Sequence, residues 1–136
     1  MKRRFLTLIL AALLSVAMAQ TIPLGVLLPL TGGGAAEGPY MRNAAEMAFE
    51  EIHAMLERSG NPLKFNLIVE DTKTTPEGGL SAIESVSNGG AKMVIGPWSS
   101  GASSGARAYA NANEILILSP SSTSPALAIP DDYLYR

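Results

Sequence analysis

Two hydrophobic periods alternate along this chain, and that alternation constrains its fold more than any other feature. Ile22 to Leu28, Lys92 to Gly96 and Ile115 to Leu118 are short apolar runs. Leu63, Phe65, Leu67 and Val69 instead alternate with Lys64, Asn66 and Glu70. Continuous runs suit strands buried on both faces, and alternation suits a strand with one wetter face. Between the runs the period changes. Met41, Ala45, Ala48, Ile52 and Met55 recur at helical spacing, behind Pro39 at a first helical position and ahead of the stop Ser59-Gly60-Asn61-Pro62. Thr75, Pro76 and Glu77 read as N-cap, first-turn proline and early acid of a second helix. That helix is expected to bury Leu80, Ile83 and Val86 and to end at Asn88-Gly89-Gly90. Gly78 and Gly79 each cost about 1 kcal/mol relative to Ala, which softens its start. An Ala-rich third helix is predicted from Gly101 to Asn113.

The order βαβαβαβ predicts an α/β fold: a parallel sheet wound by right-handed crossovers, with helices on both faces. Asp131 to Arg136 reads like the entry into a further strand, so residues 20–136 are expected to form an incomplete lobe. Residues 1–19 read as an export signal. Met1-Lys2-Arg3-Arg4 is positive, Phe5 to Val16 is apolar, and Ala17-Met18-Ala19 is a small-x-small cleavage pattern ending near Gln20. The apolar run is shorter than the ~20 residues a spanning helix needs. Without cysteine there is neither a disulfide nor a lipid-attachment site. Removing Lys2, Arg3 and Arg4 leaves 7 basic against 12 acidic residues, a net charge of −5. With no basic stripe, nucleic acid is excluded as an expected partner.

Two loops carry the candidate chemistry. Gly96 to Gly101 follows the third strand and holds Trp98, Ser99 and Ser100; Ser119 to Pro125 follows the fourth and holds Ser121, Ser122 and Thr123. Neither contains a charged residue. In open α/β sheets ligands bind beyond the carboxyl ends of the strands. The loops would therefore offer neutral donors there, and Ser99 and Ser100 would add a helix N-terminus that favours an anion. Either serine is also an ordinary N-cap. Trp98 could line a pocket or plug the lobe edge. His53, without a second His or any Cys, reads as a solvated side chain, so no metal is expected. Glu70-Asp71 could supply a site acid, but is expected rather to solvate the end of strand two.

Two patterns suggest enzymes. Gly101-Ala102-Ser103-Ser104-Gly105 matches the nucleophile-elbow spacing, but Ser103 falls inside the predicted helix and no His follows it. Gly32-Gly33-Gly34 follows a strand yet fails the dinucleotide register at Glu37. A secreted serine hydrolase using Ser103 is the remote alternative, and no cofactor is expected.

The segments Ile22 to Gly32, Asn43 to Ala48, Val69 to Thr72, Val94 to Pro97 and Ser119 to Thr123 resemble the type I periplasmic binding proteins. The similarity is greatest to the branched-chain amino-acid (Leu/Ile/Val) family of ABC importers and covers residues 20–136. It implies the first part of the N-terminal lobe of a two-lobed clamp. Carried over by position, Ser100, Thr123 and the carbonyl of Ser121 would hold an amino acid's carboxylate and ammonium. Where leucine binders place an aromatic residue in the loop after strand one, this chain has Glu37, with Tyr40 three residues on. The acid that balances the ammonium would lie in the second lobe.

The expected protein is therefore a periplasmic, non-enzymatic solute-binding component, monomeric at full length. It would deliver an aliphatic amino acid to an ABC permease. The alternative within the fold is a binding or sensor lobe for amides, urea or aromatic acids.

Overall fold

A computed structural model describes residues 20–136; the proposed signal segment lies outside the described residues. Five parallel strands form one sheet: β1 (Thr21–Leu28), β2 (Lys64–Asp71), β3 (Met93–Ile95), β4 (Leu116–Leu118) and β5 (Leu134–Tyr135). Their spatial order is β2-β1-β3-β4-β5, and the strand expected from Asp131 onward is β5 at the edge. Three helices connect them: α1 (Gly38–Arg58), α2 (Pro76–Asn88) and α3 (Ser100–Ala112). Helices α2 and α3 cover one face, while α1 crosses the other over β1 and β2. The expected α/β fold with helices on both faces is the one observed.

The core lies under α2 and α3. Leu27, Ile83, Val86, Val94, Ile115 and Ile117 are fully buried there with Ala106 and Ala110. Burying each large side chain stabilises the fold by roughly 1.5–3 kcal/mol. Thr75 caps α2 as expected, its hydroxyl accepting the Gly78 amide at 3.0 Å. Leu80, however, is exposed, and the buried stripe of α2 runs through Gly79, Ala82, Ile83 and Val86. The cause is close packing of α2 on α3. A Cβ at Gly79 would lie 2.1 Å from the Ala102 carbonyl, and one at Gly105 would lie 1.9 Å from the Pro76 carbonyl. These glycines set the distance between the helices, which outweighs their propensity cost.

The opposite face is less complete. Helix α1 starts at Gly38, so Pro39 is its second residue rather than its first. Met41, Ala45, Ala48 and Ile52 point at the sheet as expected, but they stand off it. A cavity of about 360 Å3 separates them from Leu24, Val26 and Ile95. Met93, Ile95, Leu116 and Leu118 are 38%, 42%, 38% and 54% exposed, a contiguous apolar strip on β3 and β4. His53 is half-buried rather than solvated, because its Nε2 accepts the Phe65 amide at 3.0 Å and its ring packs on Phe49. That bond satisfies an outward-facing donor of edge strand β2.

Candidate functional site

Strand order fixes where the loops meet. The chain leaves β1 toward β2, then returns past β1 to build β3, β4 and β5 on the other side. The strand order therefore reverses between β1 and β3, the position at which doubly wound folds bind ligands. The loop after β1 carries Glu37, and the loop after β3 carries Trp98, Ser99 and Ser100. They touch directly: a Cβ at Gly34 would fall 2.9 Å from the Trp98 ring. Only a glycine lets the ring lie that close.

Ser99 and Ser100 divide the work that either could have done. Ser99 is the N-cap of α3, in extended conformation, with its Oγ accepting the Ala102 amide at 3.1 Å. Ser100 instead reaches across to the loop after β4. Its Oγ accepts the amides of Thr123 and Ser124, each at 3.1 Å. Two accepted bonds occupy both lone pairs of a hydroxyl, so its O–H is left only to donate. The amides of Ser100 and Gly101, first in the helix, have no intrahelical acceptor. Together with the dipole of α3 they form a neutral edge suited to a carboxylate.

The loop after β4 is fixed from below. Its first residue, Ser119, is held in the ladder where its amide donates to the Tyr135 carbonyl at 2.8 Å. The Ser119 hydroxyl donates to the Pro97 carbonyl at 2.7 Å. Ser122 Oγ lies 2.7 Å from Ser119 Oγ and 2.6 Å from Ser103 Oγ. A hydroxyl has one proton and the Pro97 carbonyl can only accept, so one consistent chain runs Ser103, Ser122, Ser119, Pro97. All three serines are buried. Ser122 thus turns inward, away from the exposed edge that Ser121 and Thr123 occupy. Ser121 donates to the Trp98 carbonyl at 2.9 Å, a second tie between the loops.

The fold thereby brings Trp98, Ser99, Ser100, Ser121 and Thr123 to one edge. Glu37 stands on the adjoining loop at the N-cap of α1, exposed, its side chain making no cap bond and its amide donating to the Gly34 carbonyl at 3.0 Å. Trp98 is half-buried and also lines the cavity beneath α1 with Ile95, Gly96 and Pro120, so it serves the lobe edge as well as the loops. Ser103 is fully buried in the first turn of α3, bonded to Ser122, which removes the exposed strand-to-helix elbow a hydrolase needs. The sole His, His53, belongs to α1 on the far face. Among the described residues no cluster of His, Cys, Asp and Glu could hold a metal.

Asp71, read as a site acid or a solvating strand end, is bonded to the loop after β1 and to its own loop. It accepts the Thr31 hydroxyl at 2.5 Å, the Thr31 amide at 3.0 Å and the Lys73 amide at 2.9 Å. Partial burial pushes its carboxyl up, but the bonds from the Thr31 hydroxyl and the Lys73, Thr31 and Leu30 backbone outweigh it and hold the group below its ordinary value. Glu70 accepts the Ser85 hydroxyl at 2.6 Å.

A parallel sheet with hydroxyl-rich loops at its switch point has the architecture of ligand-binding α/β lobes. The family is specified by comparison. A sequence profile described as "Periplasmic binding protein" matches residues 21–136, and the chain belongs to that family. It is 36% identical over 106 residues to an uncharacterized protein of Methanocaldococcus jannaschii, covering 78% of this chain and 25% of the relative. It is 33% identical over 108 residues to the Leu/Ile/Val-binding protein BraC3 of Rhizobium johnstonii, covering 78% of this chain and 28% of the relative. Among solved structures it superposes on the branched-chain amino-acid transporter substrate-binding protein LivJ of Streptococcus pneumoniae, in complex with isoleucine. The TM-score is 0.73 at 27% identity, over 85% of this chain and 33% of that one. The chain thus spans between a quarter and a third of the length of these relatives. Family and fold are those of substrate-binding proteins rather than enzymes.

Proposed function

We propose that residues 20–136 form the first part of the N-terminal lobe of an exported protein that binds an amino acid and delivers it to an ABC permease. The observation that carries this reading is the Ser100 hydroxyl, both of whose lone pairs are taken by loop amides. Its remaining proton, with the free amides at the start of α3, suits the carboxylate that every amino acid carries. Thr123 and the carbonyl of Ser121, exposed beside it, would take the rest of the polar head. The names of BraC3 and the isoleucine-bound LivJ support a branched-chain or other aliphatic side chain. Residues 1–19 would be the cleaved signal that sends the protein to the periplasm. The balancing acid would come from a second lobe closing on the first.

The test is calorimetry on the full-length, signal-free protein against the amino acids, with amides, urea and aromatic acids in the same panel. Saturable binding of an aliphatic amino acid supports the reading. Heat only from an amide, urea or an aromatic acid would transfer the site to the alternative solute class.

A further inference from the structure

Building on that solute-binding reading, we propose that Asp71 is a positioning residue: it latches the loop after β1 to the loop after β2 and so fixes the wall that Trp98 and Glu37 form at the solute site. The loop needs such a restraint. It runs through Gly32-Gly33-Gly34, and consecutive glycines lose the most conformational freedom on ordering.

The latch is double. Asp71 takes the hydroxyl and amide of Thr31 on its two carboxylate oxygens, charge-assisted bonds of the stronger kind. Thr74 adds a second pair, its hydroxyl donating to the Thr31 carbonyl at 3.2 Å and accepting the Gly34 amide at 2.9 Å. Backbone meets backbone between these bonds. Gly32 has φ of 77°, and a Cβ there would lie 2.1 Å from the Lys73 carbonyl. Lys73 and Thr74 themselves adopt φ of 50° and 61°, a left-handed conformation uncommon outside glycine. Strained residues of this kind gather at ligand clamps, where surrounding bonds hold them.

The latch reaches the site through Gly34. The amide bonded by Thr74 belongs to the residue that lies against the Trp98 ring, and Glu37 is bonded to the same turn. Asp71, Thr31, Thr74, Gly34 and Trp98 therefore form one continuous path across the reversal between β1 and β3. A wall ordered in advance costs less to bind against than one that must order on binding.

The test uses the full-length protein and the amino acid that its wild type binds, with Asp71→Asn, Thr31→Val and Thr31→Ser. Serine keeps the hydroxyl, whereas valine keeps the shape and loses it. Asp71→Asn and Thr31→Val should weaken binding by about five- to fiftyfold, and Thr31→Ser by less than about twofold. Deuterium exchange at the Thr31 to Gly34 amides should quicken in the first two variants alone, with the α2–α3 core unchanged. Wild-type affinity in both latch-breaking variants would overturn the proposal, as would equal losses in Thr31→Val and Thr31→Ser. Should Asp71→Asn fail to fold, Thr31→Val carries the test. If wild type binds no amino acid, the function proposed above fails separately. The exchange measurement then decides whether Asp71 orders this loop, and unchanged exchange refutes it.

Discussion

Ser100 Oγ and the Thr123 amide are 3.1 Å apart, the hydroxyl accepting from the backbone of a loop 23 residues further along the chain. This bond and its twin from Ser124 join the ends of β3 and β4 into one rigid edge. They also leave Ser100 with a single capability, donation. A side chain constrained in this way suits recognition of an acceptor better than nucleophilic chemistry, because both of its lone pairs are already engaged.

Gly79 sets two effects against each other. Helix propensity alone predicts that Gly79→Ala stabilises the fold by about 1 kcal/mol. The added Cβ would meet the Ala102 carbonyl at 2.1 Å, and a packed backbone cannot swing aside like a flexible side chain. We expect the contact to win, with a net loss of about 2 kcal/mol in urea denaturation. Stabilisation by the alanine would show that α2 and α3 are not as close as described.

Ser119→Ala should cost about 2 kcal/mol, since the buried Pro97 carbonyl and Ser122 amide both lose their partner. Ser121→Ala, two residues on, removes an exposed bond and should cost less than about 0.5 kcal/mol. Chemical denaturation of the two variants side by side checks the contrast. Similar losses would mean the buried serine chain has no special weight.

The elements of the fold were readable because hydrophobic period is a local property. Strand alternation at Leu63 to Val69 and the Thr75-Pro76 start of α2 need no knowledge of neighbours. What escaped depends on distant partners. Leu80 faces outward because the glycines packed on α3 decide which face of α2 is buried. His53 caps a strand edge whose position only the assembled sheet defines. The Thr31–Asp71 bond joins residues 40 apart in sequence. In the candidate site the serine-rich loops stood out by composition, but their division of labour did not. Ser99 as cap, Ser100 as tie and Ser122 as interior link are the same residue type, separated only by direction. The tie could have been suspected from Ser100 standing one place past a good N-cap.

Asp71 gives a pH test. Its carboxyl titrates below the ordinary 3.8 in the folded protein, so its bonds stabilise the fold fully above that value. The contribution is lost as pH falls through the lower, folded-state value. Asp71→Asn should therefore be less stable than wild type by about 1 kcal/mol at neutral pH, a modest figure because the group is partly solvated. The gap should close under strongly acidic conditions. Thermal melts of both proteins across the acid range measure it, and a gap that stays constant would contradict the assignment.

The apolar strip on β3 and β4 predicts the behaviour of residues 20–136 expressed alone. Met93, Ile95, Leu116 and Leu118 are exposed, Ile95 at the cavity under α1, and exposed patches of this kind mark association surfaces. The isolated segment should bind a hydrophobic dye and self-associate in light scattering. Leu118→Lys, at the most exposed of the four, should reduce both while shifting stability by less than about 0.5 kcal/mol. A monodisperse, dye-inert segment would show the strip to be harmless.

Calorimetry of the full-length protein and its Ser100→Ala variant decides whether Ser100 holds an amino acid. Wild type should bind one aliphatic amino acid per molecule, and the variant should lose about 1–3 kcal/mol of affinity, roughly five- to 150-fold. A folded wild type that gives no heat with any amino acid, or a variant that binds as tightly as wild type, would contradict it.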